Sequence, residues 1–589
     1  MTDNQPPTSR VDITADQATI GGDVTGRDKI TYEAPAPVAL SLHQLPAPPG
    51  DFTGREAELA ELCERLGAGA TISGLQGMGG VGKTALALKL AEGLMARYPD
   101  AQFFLDLRGT TTPLSPAEAM AHVIRGYHPT AKLPESEDEL RGLYRTVLHG
   151  QRALLVMDNA RDAAQVEPLI PPAGCALLVT SRWHFALPGL LAKNLDTLPV
   201  GDAEGLLLKI APRVDGHAGE MAKLCGYLPL ALRLAGTALA ERMTLSVGEY
   251  VGRLQDAQRR LELVEASLTL SYELLTPELE RLWGMLAVFP GTFDRAGAAA
   301  VWGMDAAQDA AQEALDELVR YSLLEWNETA GRYSLHDLVR VFAGARLGEG
   351  ERDAAQGRHA AHYEGVLRAA NELYMQGGES ILRGLGLFDL EWGNIQAGQA
   401  WAAGHAGEDD EAARLCCDYP GAGPYCLNLR QHSRDWIGWQ EAGLAAARRL
   451  KHRRAEGVYL GNLGIAYDDL GDARRAIELY EQGLVIAREI GDRRSESKSL
   501  GNIGNAYRHL GDARKAIEYH DQALVIAREI GDRQWEGGTL FNMSLALDKL
   551  GERAQALVRA KAALEIFEQI ESPHVETVRK QLAEWDATD

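Results

Sequence analysis

The residues whose types and spacing could do chemistry begin with a glycine-rich run. Gly77, Gly79, Gly80, Val81, Gly82, Lys83, Thr84 and Ala85 follow the strand-like stretch Ala70–Gly74 and lead into a helical Leu/Ala/Lys pattern. Strand, loop and helix in that order, with Lys-Thr at the helix start, form the P-loop pattern. Glycines let backbone N–H groups turn inward around phosphate oxygens, and the helix N-terminus adds partial positive charge. Lys83 would reach the β- and γ-phosphates of ATP, or the β-phosphate of ADP, and the Thr84 hydroxyl would ligate Mg²⁺. Such a site needs a metal-side carboxylate at the end of a buried strand. Asp158, directly after Ala153–Met157, supplies it, so Thr84 and Asp158 are the candidate Mg²⁺ ligands. Asn159 comes next, where a second acid could activate water, and an amide cannot act as a general base. Slow hydrolysis is the expectation, suited to a switch rather than a motor.

The elements that must position these groups fall into zones. Residues 1–50 are polar, show no helical period and end in Pro46, Pro48, Pro49 and Gly50, which reads as a linker. Residues 51–200 alternate helical runs with apolar strands at 69–74, 101–107, 152–157 and 176–181, the pattern of a parallel α/β sheet. From 201 to 350 the spacing is helical, with one hairpin signal near Asn327–Leu335, and beyond 350 everything is helical.

Composition sets the limits. The 589 residues allow about four domains. Sixty basic against 83 acidic side chains leave a net charge of −23, which rules out polyanion binding over the whole surface. The six cysteines contain no C-x-x-C pair and do not make a disulfide scaffold. The N-terminus lacks a basic and apolar signal segment, and no apolar run approaches membrane-spanning length. A soluble cytoplasmic protein without membrane contact is expected.

An internal repeat dominates the C-terminal zone. Residues 461–500 and 501–540 share 26 identities in 40 ungapped positions, and 541–580 continue the register. The segment 436–460 matches the second half of the unit, so the array begins with a degenerate copy. Each unit reads as two amphipathic helices joined at Leu-Gly-Asp, with Gly as left-handed cap and Asp as the next N-cap. Stacked neighbours supply the core that one pair lacks. This text resembles 40-residue tetratricopeptide repeats, which implies a groove for a protein or peptide ligand. Asn462, Asn502 and Asn542 recur at what reads as the start of each first helix, with Tyr467 and Tyr507 further on. Similar ladders bind a peptide backbone in long tetratricopeptide arrays; capping of helix starts is the competing reading. Arg488, Arg508, His509 and Arg528 read as solvated faces.

Further motifs carry a wider resemblance. Phe52-Thr53-Gly54-Arg55-Glu56 precedes the first helix, Leu178–Arg182 ends a strand, Gly226–Leu232 follows, and Tyr333–Leu338 closes the helical segment. Together with the glycine-rich loop they resemble the NB-ARC branch of the STAND signal-transduction ATPases, bacterial members with C-terminal tetratricopeptide repeats above all. The resemblance implies a P-loop domain (51–200), a small helical domain (201–265), a winged helix (266–350), a helical connector (351–435) and an all-α tetratricopeptide solenoid (436–589). It assigns Arg182 as the sensor of the γ-phosphate and so, with Lys83 and Asp158, as catalytic. Pro229 packs on adenine, Phe52 and Arg55 lie beside the base, and His336 holds the ADP β-phosphate with Asp337 steadying it. Plainer readings stand beside these: a surface charge for Arg182, a first-turn proline for Pro229, a half-buried helix-start histidine for His336. Leu335 stands where Met is frequent in the family, and Asn159 where Asp is frequent.

What the resemblance implies is an ADP/ATP switch that senses a ligand through its repeats and forms a homo-oligomer, with bacterial defence as one context. A transcriptional regulator and a tetratricopeptide scaffold with a structural nucleotide are the alternatives. The regulator is disfavoured because only 50 residues precede the P-loop domain, so a nucleic-acid partner is not expected. Residues 1–32 carry β-branched residues and Gly-Asp turns and weakly resemble effector-recruiting segments of bacterial STAND proteins. Recruitment of a separate effector, a small β-adornment or oligomer contact, and disorder all stay open there.

Overall fold

Three short apolar runs buried along most of their length form the centre of one parallel sheet, and two less buried strands close its edges. In a computed structural model, which describes residues 42–67, 72–110, 113–258, 263–328 and 330–586, these strands are β1 (Ile72–Gln76), β2 (Ala101–Asp106), β3 (Ala153–Ala160), β4 (Ala176–Ser181) and β5 (Leu190–Asn194). Their order is β2-β3-β4-β1-β5. Side chains alternate across the sheet: Leu154 and Val156 of β3 enter one core, Leu155 and Met157 the other. Two details differ from the sequence expectation. The first strand runs on to Gln76, since Leu75 and Gln76 still pair with β4 and the chain turns only at Gly77. The fifth strand was not expected, because an edge strand carrying Lys193 and Asn194 has no continuous apolar signal. Leu42 and Gln44 exchange backbone hydrogen bonds with Gln102, so the end of the presumed linker lies along the free edge of β2. The readings of residues 1–32 lie outside the described residues.

The described chain divides into two compact units. One takes residues up to 404 together with 422–432, the other 405–421 and 433 onward. In the first, helices from Val200–Ile210 to Leu263–Tyr272 share a core with the sheet. After them come helices Pro277–Met285, Arg295–Trp302 and Gln308–Arg320, then the antiparallel hairpin β6 (Glu325–Asn327) and β7 (Arg332–Ser334), and helix Asp337–Arg346. The hairpin expected near 327–335 is therefore present. Arg332 of β7 makes a bidentate ion pair with Glu391 of helix Glu379–His405, at 2.6 and 2.9 Å. Both are almost fully buried, so the pair fixes this helix to the hairpin. Among the described residues no helix is long and apolar enough to cross a membrane.

The second unit is the helical array. Its pairs are Arg453–Asp469 with Ala473–Ile490, Arg493–His509 with Ala513–Glu529, and Arg533–Lys549 with Arg553–Gln569. Helix Ser433–Arg449 precedes them as the surviving half of the degenerate copy. The Leu-Gly-Asp turns work as expected: Gly471, Gly511 and Gly551 have φ of 82°, 86° and 78°, and Asp472 and Asp512 cap the next helix. Arg488 and Arg528 lie exposed, as expected, and from there hold the nearly buried carboxylates Glu496 and Glu536 at 2.9 and 2.8 Å. Arg493 and Arg533 grip the same carboxylates from the other side, and Arg448, Arg453 and Glu456 form the same trio one unit earlier. His509 likewise meets Asp468 at 3.0 Å, with Arg508 against its ring. The asparagines also differ from expectation. Asn462, Asn502 and Asn542 sit mid-helix and half-buried, so they cap nothing, and Asn462 donates to Gln440 at 3.1 Å.

Packing between paired helices follows a size exchange. A Cβ on Gly464 would lie 2.4 Å from the Tyr480 ring, and one on Gly504 2.8 Å from the His520 ring. At the corresponding positions of the next pair stand Ser544 and Ala560, both fully buried. Among the described residues neither ring nitrogen of His520 has a hydrogen-bond partner, and burial pushes its pKa down to about 3, so the ring packs as a neutral apolar body. Gly504→Ser alone is expected to cost about 1–3 kcal/mol by overpacking, and His520→Ala a similar amount by leaving a cavity. Combined, they recreate the Ser/Ala pair and should cost clearly less than the sum. Urea unfolding of the four proteins measures this, and additive losses would contradict the packing.

Candidate functional site

The site forms where β1, β3 and β4 end together, the edge at which parallel sheets leave room for ligands. After β1 the chain passes through Gly77, Gly80 and Gly82 with φ of 149°, 78° and 93°, conformations that only glycine adopts readily. Helix Lys83–Leu94 then begins with no side-chain cap, leaving its first N–H groups free for an acceptor. Val81 is buried beneath the loop, and Ala85 lies in the first helical turn. Lys83 folds back over the loop and donates to the carbonyls of Gly77 and Met78 at 2.9 and 2.8 Å. Burial, with Arg182 adding repulsion and Asp158 opposing, brings its pKa down to about 8.

Across from it, the Thr84 hydroxyl lies 2.9 and 3.0 Å from the two Asp158 carboxylate oxygens. Thr180 of β4 donates to Asp158 at 2.5 Å and accepts the Asn159 N–H at 2.9 Å. Burial and the nearby Asp106 raise Asp158 to about 6, against the opposing pull of Thr180, Thr84 and Lys83. Hydroxyl and carboxylate together are a hard oxygen donor pair, which suits Mg²⁺. Among the described residues no cluster of three or more His, Cys, Asp or Glu forms a metal site, so such an ion would take its other ligands from water and phosphate.

The remaining sequence candidates close over this loop. Arg55 is buried, with φ 70°, and reaches the carbonyls of Val81 and Asp196 at 3.4 and 2.5 Å, while Phe52 packs half-buried on the core beneath. Pro229 starts helix Pro229–Glu241, and its ring would sit 3.6 Å from a Cβ on Gly82. The N–H of Leu230 reaches the Gly80 carbonyl at 3.3 Å. Pro229 is thus both a first-turn proline and a neighbour of the loop. Leu338 covers Gly79 and Gly80 from the other side.

His336 caps helix Asp337–Arg346, its Nδ1 accepting the Leu338 N–H at 3.2 Å. That bond leaves the ring proton on Nε2, a donor. Burial lowers the His336 pKa and Arg182 and Lys83 lower it further, against Glu325 and Asp337, which favours the neutral ring. Asp337 acts on His336 by charge, while among the described residues its hydrogen bonds go to other groups. Its partners are Thr110 at 2.5 Å, Arg182 at 3.0 Å, Asn159 at 3.1 Å and Arg340 at 3.1 Å. Burial alone would raise its pKa; the Thr110 hydrogen bond and the charges of Arg340, Arg182 and His336 outweigh that and hold it low.

Sequence reasoning missed Asp106, Thr110 and Thr180. Asp106 carried the same signal as Asp158, a carboxylate closing an apolar strand, and is its register partner across β2 and β3. Thr110 and Thr180 gave no signal beyond lying near strand ends.

Comparison with known proteins adds context. Tetratricopeptide-repeat family models match residues 460–494 and 495–569. The regulatory protein AfsR of Streptomyces coelicolor is 39% identical over 344 residues, covering 54% of this chain and 34% of AfsR. A Mycobacterium tuberculosis protein named as an HTH-type transcriptional regulator is 27% identical over 394 residues, covering 62% of this chain and 43% of its own. The chain thus spans about a third of the length of AfsR. Among solved structures, the STAND protein PH0952 of Pyrococcus horikoshii, with a tetratricopeptide sensor, covers 92% of this chain and 86% of its own at 17% identity and TM-score 0.41. By its motifs and repeats the chain resembles bacterial NB-ARC ATPases of the STAND class with C-terminal tetratricopeptide repeats.

Asp337 holds four donors at once, so Asp337→Ala should destabilise this unit by about 1–3 kcal/mol, more than Thr110→Val, which removes one donor. Denaturant unfolding compares them, and equal losses would show that the carboxylate is not the hub.

Proposed function

We propose that this chain is a nucleotide-dependent signalling switch of the STAND class, resting with ADP and activated by exchange for ATP. The observation that carries the reading is the loop of residues 77–84 with Asp158 opposite Thr84, beside an Arg182 that is already engaged by Asp337. On this reading residues 51–200 form the NB-ARC domain, 201–265 the small helical domain, 266–350 a winged helix, 351–435 a connector and 436–589 the ligand-sensing array. Lys83 and the free N–H groups of its helix hold the β-phosphate, and Thr84 and Asp158 hold Mg²⁺. That ion, when bound, neutralises charge between the β- and γ-phosphates. His336 donates from Nε2 to the β-phosphate in the resting form, and Pro229, Phe52 and Arg55 flank the base.

The switch follows from differential contact. In the resting form Asp337 occupies Arg182. A γ-phosphate competes with Asp337 for the same guanidinium, and when Arg182 changes partner, the segment 336–340 loses its ion pair to the residue just after β4. The opened form assembles with further copies of the chain. The tetratricopeptide groove would take a protein or peptide ligand, and residues 1–32 would recruit a separate effector. Because Asn159 replaces the acid, turnover is slow.

A second reading, transcriptional regulation, is favoured by the names of the relatives, AfsR and the mycobacterial HTH-type protein, and a DNA partner would belong to it. A duplex-DNA gel shift that weakens steeply with salt would support it.

Sizing the purified protein with ADP and with a non-hydrolysable ATP analogue tests the switch: a larger assembly with the analogue is expected, and the same size with both would overturn it. His336→Ala should release ADP faster and assemble without the analogue. Nucleotide affinity should also fall as pH rises past about 8, the Lys83 value. Phosphate needs the charged lysine, which is present below that pH and lost above it, so the loss approaches about tenfold per pH unit. Titration with a fluorescent ADP from pH 7 to 9.5 measures it, and a flat profile would contradict the role of Lys83.

A further inference from the structure

The position after Asp158 lacks an acid, and the neighbouring strand supplies one. Asp106 ends β2 directly beside Asp158 in register. Its Oδ1 accepts the Arg108 N–H at 2.8 Å and lies 3.4 Å from the Asn159 amide nitrogen. Its Oδ2 takes no hydrogen bond among the described residues, and the side chain is open to solvent. The other candidates near the loop are committed. Asp158 holds Thr84 and Thr180, Asp337 holds its four donors, and the acceptor nitrogen of His336 is used by Leu338.

The backbone fixes Asp106 in place. Leu107 N–H reaches the Asp158 carbonyl at 2.8 Å and Gly109 N–H the Asn159 carbonyl at 2.7 Å, so the segment after β2 is strapped along the end of β3. A Cβ on Gly109 would lie 2.5 Å from the Asn159 carbonyl oxygen, so only glycine permits this approach. Arg108 in the strap and Asn159 at the end of β3 both have left-handed φ, 52° and 56°. Such strain in non-glycine residues concentrates at functional sites.

We propose that Asp106 is the carboxylate that holds and deprotonates the hydrolytic water, in the place where an acid at position 159 would otherwise act. This rests on the nucleotide-switch reading above. Oδ2 accepts a hydrogen bond from water, whose oxygen bonds to the γ-phosphorus as the bond from that phosphorus to the β–γ bridging oxygen breaks. One water proton passes to Asp106 and on to solvent, and the products are ADP and inorganic phosphate. Asn159 acts through Asp106 as a positioning residue, its amide directed at Oδ1.

The test uses the full chain with ATP and Mg²⁺, in wild type, Asp106→Asn and Asp106→Glu. ATP affinity should stay within about twofold in both variants. Single-turnover hydrolysis should fall at least about tenfold in Asp106→Asn, and Asp106→Glu should retain more of the rate. A structural role predicts the reverse order, because Asn is the isostere and Glu the misfit. Wild-type hydrolysis by Asp106→Asn, loss of ATP binding in that variant, or a faster Asn than Glu variant each overturns the assignment of Asp106 alone. A wild-type chain that binds no ATP overturns the nucleotide reading itself, and this proposal with it.

Discussion

The carboxylate of Asp337 joins segments that lie far apart in the chain. Thr110 from the strap after β2, Asn159 at the end of β3, Arg182 just after β4 and Arg340 from its own helix all converge on its two oxygens. A carboxylate can satisfy that many donors only where the donors are already placed, and the parallel sheet does the placing by ending β2, β3 and β4 at one level. Helix Asp337–Arg346 is thereby docked over the glycine loop, with Leu338 against Gly79 and Gly80. Take the carboxylate away and two arginines and an amide are left to find water.

The loop itself answers to a stricter geometric demand. Three glycines with positive φ, a lysine folded back onto the loop carbonyls and a helix start without a side-chain cap leave a concave ring of N–H groups. Neighbours press on it closely: Leu195 against Gly77, Leu230 against Gly80, Pro229 near Gly82. Side chains on those glycines would displace the very segments that cover the loop. Chemistry and packing constrain the same positions.

Much of this was legible in the sequence. The glycine loop, Lys83, Thr84 and Asp158 announced themselves because residue type, spacing and flanking apolar runs agree, and the 40-residue period was visible as plain identity. Other features were hidden because their signals are spatial. Strand β5 pairs at an edge where two of its five residues are exposed and none is buried. Asp106 matters through its register with Asp158, across 52 residues of chain that no local pattern bridges. The partners of Asp337 come from loops whose approach depends on the whole sheet. The asparagines of the array were misplaced because a repeat unit can be phased in several ways, and only the helix boundaries show that they stand mid-helix.

The arginine–glutamate trios of the array recur at one spacing, each linking the second helix of one pair to the first helix of the next. Every junction from Arg448 to Glu536 is therefore the same joint, made from the same three side chains. Unequal recombination in units of 40 codons could lengthen or shorten such an array in frame, and each new junction would arrive with its ion pairs already matched. The length of the array can then change by copy number, while the part of the chain that holds the glycine loop stays unchanged.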